Sequence, residues 1–292
     1  MNQLRTAATV AQPAGHDLIQ SALALRGQGR LQDALKVLCV PGEFSADFYI
    51  LRGDLQLELG RIEEAAENYS TVTVAVPDHV YAQGQLGLCL RRLEQWEGAA
   101  HAFEAVLQFD PHRDEVRLDL AGCLMRLQRF GAALDCFDQC WSEGSRRRAL
   151  FGKAVALQHL RSFDEAERHY ERLLAIDPNA EEALANLIAM SMEVFELARV
   201  QKYSQRLLQI NPRSTAALKG LALAAIERRD YPDAARYFYR LTELDPEIMR
   251  PPAGQSQANE YRVSRKIFES LEAAKREQKF QKAHASGGGL LR

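Results

Sequence analysis

The sequence predicts an all-α fold made of stacked helix pairs, and two periodic markers carry this prediction. Prolines recur at a 34-residue step, at Pro77 and Pro111 and again at Pro178, Pro212 and Pro246. A second marker recurs at steps of 31 to 34 residues, at Ala34, Ala65, Ala99, Ala133, Ala166, Val200 and Ala234. A fixed period of this length is typical of solenoids, in which each unit buries its apolar face against its neighbours.

Each period contains the apolar spacing of two helices. In residues 80–113, Leu86, Leu90 and Leu93 fall on one helical face, and a second apolar run ends at Asp110-Pro111. Proline disfavours helical geometry in the residue before it, so it ends the second helix. With the marker alanine numbered as repeat position 20, positions 8 and 20 are mostly small and position 24 is mostly large. The two helices of a pair are therefore expected to approach closely.

The small position 8, the Ala99-x3-Phe103 spacing and the closing Pro111 at a 34-residue period resemble the tetratricopeptide repeat (TPR) family. The resemblance implies a right-handed superhelical solenoid of about seven helix-turn-helix TPR units with a C-terminal capping helix. We expect four parts in the chain. They are a flexible N-terminal segment (1–14), the solenoid (15–248), the capping helix (255–283) and a disordered tail (284–292).

Repeats four and six depart from the common pattern. Ser145 stands where most other repeats have their final proline, and this repeat is one residue short. In repeat six, Val200 replaces the marker alanine and Ser204 replaces the large residue of position 24. We expect a changed stacking angle near residues 142–148 and looser packing near residues 193–204.

The sequence contains no arrangement typical of an active site. It has no HExxH motif, no phosphate-binding glycine loop and no serine, histidine and aspartate arrangement that can be argued. Cys123, Cys136 and Cys140 could meet a metal ion, but no CxxC pair or nearby histidine completes a ligand set, so burial is the favoured interpretation. We therefore expect a protein that is not an enzyme, with no catalytic residues, no cofactor and no metal.

Charge and hydropathy limit the classes of partner and the cellular locations that we expect for the protein. The formal net charge is −2, so nucleic acid is not a favoured partner of the whole chain. The N-terminus lacks the apolar run of a signal peptide, and no stretch approaches the roughly 18 apolar residues of a membrane span. These features predict a cytoplasmic protein without a transmembrane segment.

The resemblance to the TPR family implies that the first helices of successive repeats line a concave groove. Transferred to this sequence, that groove has an apolar floor with gaps at Gly84 and Gly122, and a basic centre. The candidate partner-binding residues are Ile50, Asp54, Leu88, Arg91, Arg92, Leu118, Met125, Arg126, Phe151, Val155 and His159. We expect a protein partner with an apolar segment and an acidic flank, bound as an extended peptide or an amphipathic helix.

One subtype of the family and two other functions were weighed against this hypothesis. Members that grip a C-terminal carboxylate use a paired Lys and Asn, whereas here Lys219 is accompanied by Leu223. The basic segment 262–282 could instead make the protein a nucleic-acid- or membrane-associated regulator. Self-assembly into a homo-oligomer is the third alternative. The predicted function is a protein-protein interaction scaffold or adaptor.

Overall fold

The computed structural model describes residues 12–246 together with Glu269 and Glu272, both of which are helical. The predicted flexible segment up to residue 11 and the tail (284–292) lie outside the described residues. So does the capping helix (255–283), apart from those two glutamates. Helices are the only regular secondary structure in the described part, as the sequence predicts. The first helix begins at Gln12, ahead of the expected boundary at residue 15.

Fourteen helices occupy the described residues, two for each of seven repeats. In chain order they are α1 (Gln12–Gly27), α2 (Leu31–Val37), α3 (Ala46–Glu58), α4 (Ile62–Ala75), α5 (Val80–Arg92), α6 (Trp96–Phe109), α7 (Asp114–Arg126), α8 (Phe130–Asp138), α9 (Glu143–His159), α10 (Phe163–Ile176), α11 (Glu181–Glu193), α12 (Leu197–Ile210), α13 (Thr215–Glu227) and α14 (Tyr231–Leu244). Odd-numbered helices are the first helices of their repeats, and even-numbered helices are the second.

The chain divides into two compact units, Met1–Leu160 and Arg161–Arg292. In the first unit each helix from α1 to α8 packs on the next one in sequence, and α7 also touches α9. In the second unit the helices from α10 to α14 follow the same rule, and α11 also touches α13. Each unit is thus a stack in which a helix pair is covered by the following pair.

Repeat positions 8, 20 and 24 form the core of the repeats. The marker residues at position 20 are all 0% exposed, and positions 8 and 24 are buried in every repeat. A Cβ atom placed on Gly87 would lie 2.6 Å from the Phe103 ring, and one on Gly53 would lie 2.9 Å from the Tyr69 ring. Position 8 must therefore be small wherever position 24 carries a ring.

Repeat six keeps this packing with a large residue at position 8 and a small residue at position 24. Ile188 occupies position 8, where other repeats have glycine or alanine, and Ser204 occupies position 24, where most others have a ring. Both residues and Val200 are fully buried. A Cβ atom on Gly220 of the next repeat would lie 3.1 Å from Ile188 Cγ2, so little space is left. The prediction of looser packing near residues 193–204 is wrong, because Ile188 supplies the volume that Ser204 lacks.

Repeat four ends without the closing proline, and Asp114 from its first helix binds the backbone at that end. Helix α8 stops at Asp138, and α9 begins at Glu143, before the repeat boundary expected at residue 147. Asp114 Oδ2 accepts hydrogen bonds from the N–H of Trp141 (2.9 Å) and of Ser142 (2.6 Å) and from Ser145 Oγ (2.9 Å). This buried carboxylate thus binds donors at the N-terminal end of α9, where a negative charge is favourable.

The turn between the two helices of each repeat contains one residue in the left-handed region. These residues have φ between 57° and 76° and all occupy repeat position 15: Gly29, Gly60, Glu94, Gln128, Arg161, Phe195 and Arg229. Two of the seven are glycines, which adopt this conformation without steric cost. The other five side chains each cost about 1–2 kcal/mol there.

We expect Gln128→Gly to raise the free energy of unfolding by about 0.5–1 kcal/mol, because it removes that cost. Gly60→Ala, at the same repeat position, should lower it by about 1 kcal/mol. Urea denaturation followed by circular dichroism measures both changes. A lower midpoint for Gln128→Gly, as for a glycine inside a helix, would contradict this assignment.

Asp114→Asn should lower the free energy of unfolding by about 1–3 kcal/mol at neutral pH, because charged acceptors bind these donors more strongly than neutral ones. Burial alone would raise the pKa of Asp114. The hydrogen bonds from Ser142, Ser145 and Trp141 have the larger, opposite effect, so the pKa is lowered to about 2. The stabilisation is therefore complete above the pKa of an unfolded aspartate, about 4, and disappears as the pH falls towards 2. Urea midpoints should converge for the two proteins over this range, and a difference that is independent of pH would refute the assignment.

Candidate partner-binding face

The predicted partner-binding residues all lie on first helices of the first unit. Five of them are apolar and half-buried, and these are called the apolar set below: Ile50, Leu88, Met125, Phe151 and Val155. The basic residues are exposed: Arg91, Arg92, Arg126 and His159. The remaining two, Leu118 and Asp54, are engaged inside the fold, each in a different way.

Leu118 belongs to the core. Its side chain is 5% exposed and lies in one cluster with Phe103 of repeat three and Phe137 of repeat four. A long apolar chain at this position reaches the contact between neighbouring repeats and does not remain on the open side of α7. The structure therefore contradicts the placement of Leu118 on the partner-binding surface.

Asp54 is held by two tyrosines. Its Oδ1 atom accepts hydrogen bonds from Tyr69 Oη (2.6 Å) and Tyr81 Oη (2.9 Å), and Arg26 lies 4.0 Å from Oδ2. Burial and the bond to Asp54 together raise the pKa of Tyr81 to about 12, and they raise the pKa of Tyr69 far above its usual range. Both hydroxyls stay protonated and donate to Asp54 at neutral pH. Asp54 thus fixes repeat two against its neighbours.

A pocket of about 300 Å³ lies among the basic residues. It is lined by Arg91, Arg92, Trp96, Gly122 and Arg126, and is called the arginine pocket below. The guanidinium carbon of Arg126 lies 4.9 Å from the centroid of the Trp96 ring, within the range of a cation–π contact. A Cβ atom on Gly122 would meet no heavy atom within 4 Å, so the missing side chain leaves this wall open.

The charges of the arginine pocket are only partly balanced. Arg91 Nη1 lies 3.8 Å from Asp119 Oδ1, and the same carboxylate oxygen lies 3.9 Å from Arg148 Nη2. Burial raises the pKa of Asp119, and the two arginines oppose that increase. Among the described residues, no carboxylate pairs with Arg92 or Arg126. The pocket therefore carries an excess of positive charge.

His159 lies apart from the residues that line this pocket. Its ring stacks on Phe130 with parallel planes and a centroid distance of 4.6 Å. Trp96 and Phe130 occupy the same repeat position, 17, and each contacts position 13 of the following repeat. We did not predict either aromatic residue, because both begin second helices. The recurrence of an aromatic side chain at position 17 could have indicated this pairing.

The three cysteines that were considered as metal ligands do not provide reactive thiolates. Burial raises the pKa of Cys123, Cys136 and Cys140 to about 11 in each case, so the thiols are protonated at neutral pH. Within the part of the chain that the structure describes, no group of three or more His, Cys, Asp or Glu side chains could hold a metal ion. None of the helices described there is long and apolar enough to cross a bilayer.

Because Leu118 is buried and Leu88 is half-buried, the same substitution should affect stability differently at the two positions. We expect Leu118→Glu to lower the free energy of unfolding by about 3 kcal/mol or more, because it buries a charge in the core. Leu88→Glu should cost only about 1 kcal/mol, because its side chain can turn its carboxylate to water. Thermal melts followed by circular dichroism distinguish the two, and equal losses would show that Leu88 is also a core residue.

Solved structures with helical repeats resemble this chain in fold. The C-terminal part of a TPR repeat-containing protein from Cytophaga hutchinsonii is 14% identical, with a TM-score of 0.66 over 83% of this chain and 98% of that one. PilW, a widely conserved type IV pilus biogenesis factor, is 17% identical, with a TM-score of 0.54 over 70% and 96%. MamA from strain MSR-1 is 20% identical, with a TM-score of 0.50 over 56% and 97%.

No curated protein sequence matches the chain significantly. Sequence models described as Tetratricopeptide repeat match residues 50–114 and 197–247, residues 90–144, and residues 147–180. These ranges together cover more than half of the chain and agree with the helix pairs of the structure. The chain belongs to the tetratricopeptide repeat family.

Proposed function

We propose that this protein is an interaction adaptor that holds one segment of a partner protein on the first helices of repeats two to five. The segment is an extended peptide or an amphipathic helix. Membership of the TPR family supports the general role of a protein-interaction scaffold, and the repeat fold is typically non-catalytic. The proposal includes the cytoplasmic location that the sequence predicts.

The apolar set is the observation that carries this proposal. In the folded chain these five side chains are each half-buried, so part of every one stays in water. They recur on α3, α5, α7 and α9, which are the first helices of four consecutive repeats. Covering this residual area with an apolar partner segment is favourable by roughly 25 cal/mol per Å².

The arginine pocket adds a preference for an acidic partner. It lies on α5, α6 and α7, beside Leu88 and Met125 of the apolar set in sequence. Positive charge next to an apolar surface increases the rate of encounter with acidic partners and disfavours basic ones. The preferred partner segment therefore combines apolar side chains with an acidic flank.

Replacement of two members of the apolar set should abolish partner binding. We expect Leu88→Glu/Val155→Glu to weaken binding about 10-fold or more, because two charges would be placed against an apolar partner segment. The measurement is affinity capture from lysate of the native host, with bound proteins identified by mass spectrometry and affinities then measured with the purified partner.

A matched control makes the same chemical change elsewhere. Val74 and Phe109 are apolar, 79% and 55% exposed, and lie on second helices. Val74→Glu/Phe109→Glu should retain the partner, and circular dichroism should show that both double variants are folded. Equal recovery with both variants would contradict the proposal. Binding would then be assigned to other surfaces, such as the basic segment 262–282, of which the structure describes only Glu269 and Glu272.

A further inference from the structure

We propose that the arginine pocket receives a doubly charged phosphoryl group, so that the partner segment is recognised in a phosphorylated form. The inference rests on the proposed function, because the pocket lies on the same first helices, and it specifies the chemistry of the partner. Its residues are Arg91, Arg92, Trp96, Gly122 and Arg126.

The charge of the pocket favours a dianion. Three guanidinium groups line it, and the nearest carboxylate, Asp119, is shared between Arg91 at 3.8 Å and Arg148 at 3.9 Å. Arg92 and Arg126 have no carboxylate partner in the described part of the chain, which leaves an excess of about two positive charges. A phosphorylated side chain carries about −1.5 to −2 at neutral pH, whereas a carboxylate supplies only −1.

The chemistry of the donors points in the same direction. Each guanidinium offers a planar fork of N–H donors that matches phosphate oxygens in pairs. A phosphoryl group offers three free oxygens and up to two negative charges to several forks at once, whereas a carboxylate offers two oxygens and one charge. A site with three arginines and no lysine therefore suits the phosphoryl group better.

Trp96 holds one of these donors in place. Its ring lies 4.9 Å from the guanidinium carbon of Arg126 and packs against the core of repeats three and four. A guanidinium held in this way loses less conformational freedom when it binds an anion. Gly122 leaves the space beside it open, and the volume of about 300 Å³ accommodates a phosphoryl group together with the side chain that carries it.

The same contact argues against nucleic acid as the source of the phosphate. Proteins that bind single strands stack bases on exposed aromatic faces along a basic groove. Here Arg126 occupies one face of Trp96, and His159 occupies one face of Phe130. The arginines form one pocket and not a stripe, so a single phosphorylated residue is the better match.

The two tryptophans of the chain allow a direct test in the full-length protein. Trp141 is 83% exposed, and the bond from residue 141 to Asp114 comes from its backbone N–H, so Trp141→Phe preserves that bond. Trp96 is then the sole tryptophan and reports on the pocket. The probes are inorganic phosphate, O-phosphoserine, glutarate and an oligothymidylate without terminal phosphate, each titrated at neutral pH and constant ionic strength.

We expect O-phosphoserine and inorganic phosphate to change Trp96 fluorescence saturably, at concentrations about 10-fold or more below those needed for glutarate. In the same background, Arg92→Gln should raise the required concentration about 10-fold. Gly122→Leu should abolish the response while the helix stays folded, because it fills the open wall and replaces glycine by a strong helix former. Trp96→Phe with Trp141 retained should show no response.

Four results would overturn the inference. They are the absence of a saturable response to both phosphate probes, equal binding of glutarate, tighter binding of the oligothymidylate, or an unchanged response in Gly122→Leu. The proposed function is tested separately by partner capture. If Gly122→Leu retains a partner that Leu88→Glu/Val155→Glu loses, the recognition of a phosphoryl group is refuted and the adaptor function stands.

Discussion

The contact between repeat positions 8 and 24, seen in repeats two and three, determines how close the two helices of these repeats lie, and the burial of their core depends on it. Gly87 admits the ring of Phe103, and Gly53 admits the ring of Tyr69, at distances where a methyl group would not fit. In repeat six the sizes are reversed, with Ile188 and Ser204, and the interior remains closed. The constraint is thus on the summed volume of the pair, as expected for interiors packed near crystal density.

This packing decides which parts of the first helices remain available to a partner. Position 8 is buried on every first helix, so only side chains on the remaining side of a first helix stay open. Position 5 lies at the border between the two regions. Ile50 is half-buried there, whereas Leu118 enters the core between repeats three and four. Partner binding therefore depends on how far each border side chain reaches inward, as well as on its repeat position.

The sequence predicted the features that recur with the period, and it failed for contacts that occur once. The helix pairs and the buried positions follow from the 34-residue spacing. The bond between Asp114 and Ser145 occurs once and spans 31 residues, so local spacing gave no sign of it. The pairing of Trp96 with Arg126 spans 30 residues and recurs as Phe130 with His159, so only a comparison of position 17 across repeats could have indicated it. The left-handed conformation at position 15 could not be predicted from the sequence for a different reason. Five of the seven repeats have a side chain there in place of glycine, so composition did not mark the turn.

The arginine pocket arises because repeats three and four break a charge pairing that repeats one and two make. Arg26, at position 12 of repeat one, forms an ion pair with Glu58, at position 13 of repeat two. The corresponding residues at the boundary between repeats three and four are Arg91 and Arg126, and both are cations. Two arginines that line one pocket repel each other. The contact of Arg91 with Asp119 and the contact of Arg126 with the ring of Trp96 offset this repulsion only in part. The dianion that we propose for this pocket would offset the remaining repulsion, and the arrangement would then be more stable in the complex than in the isolated chain.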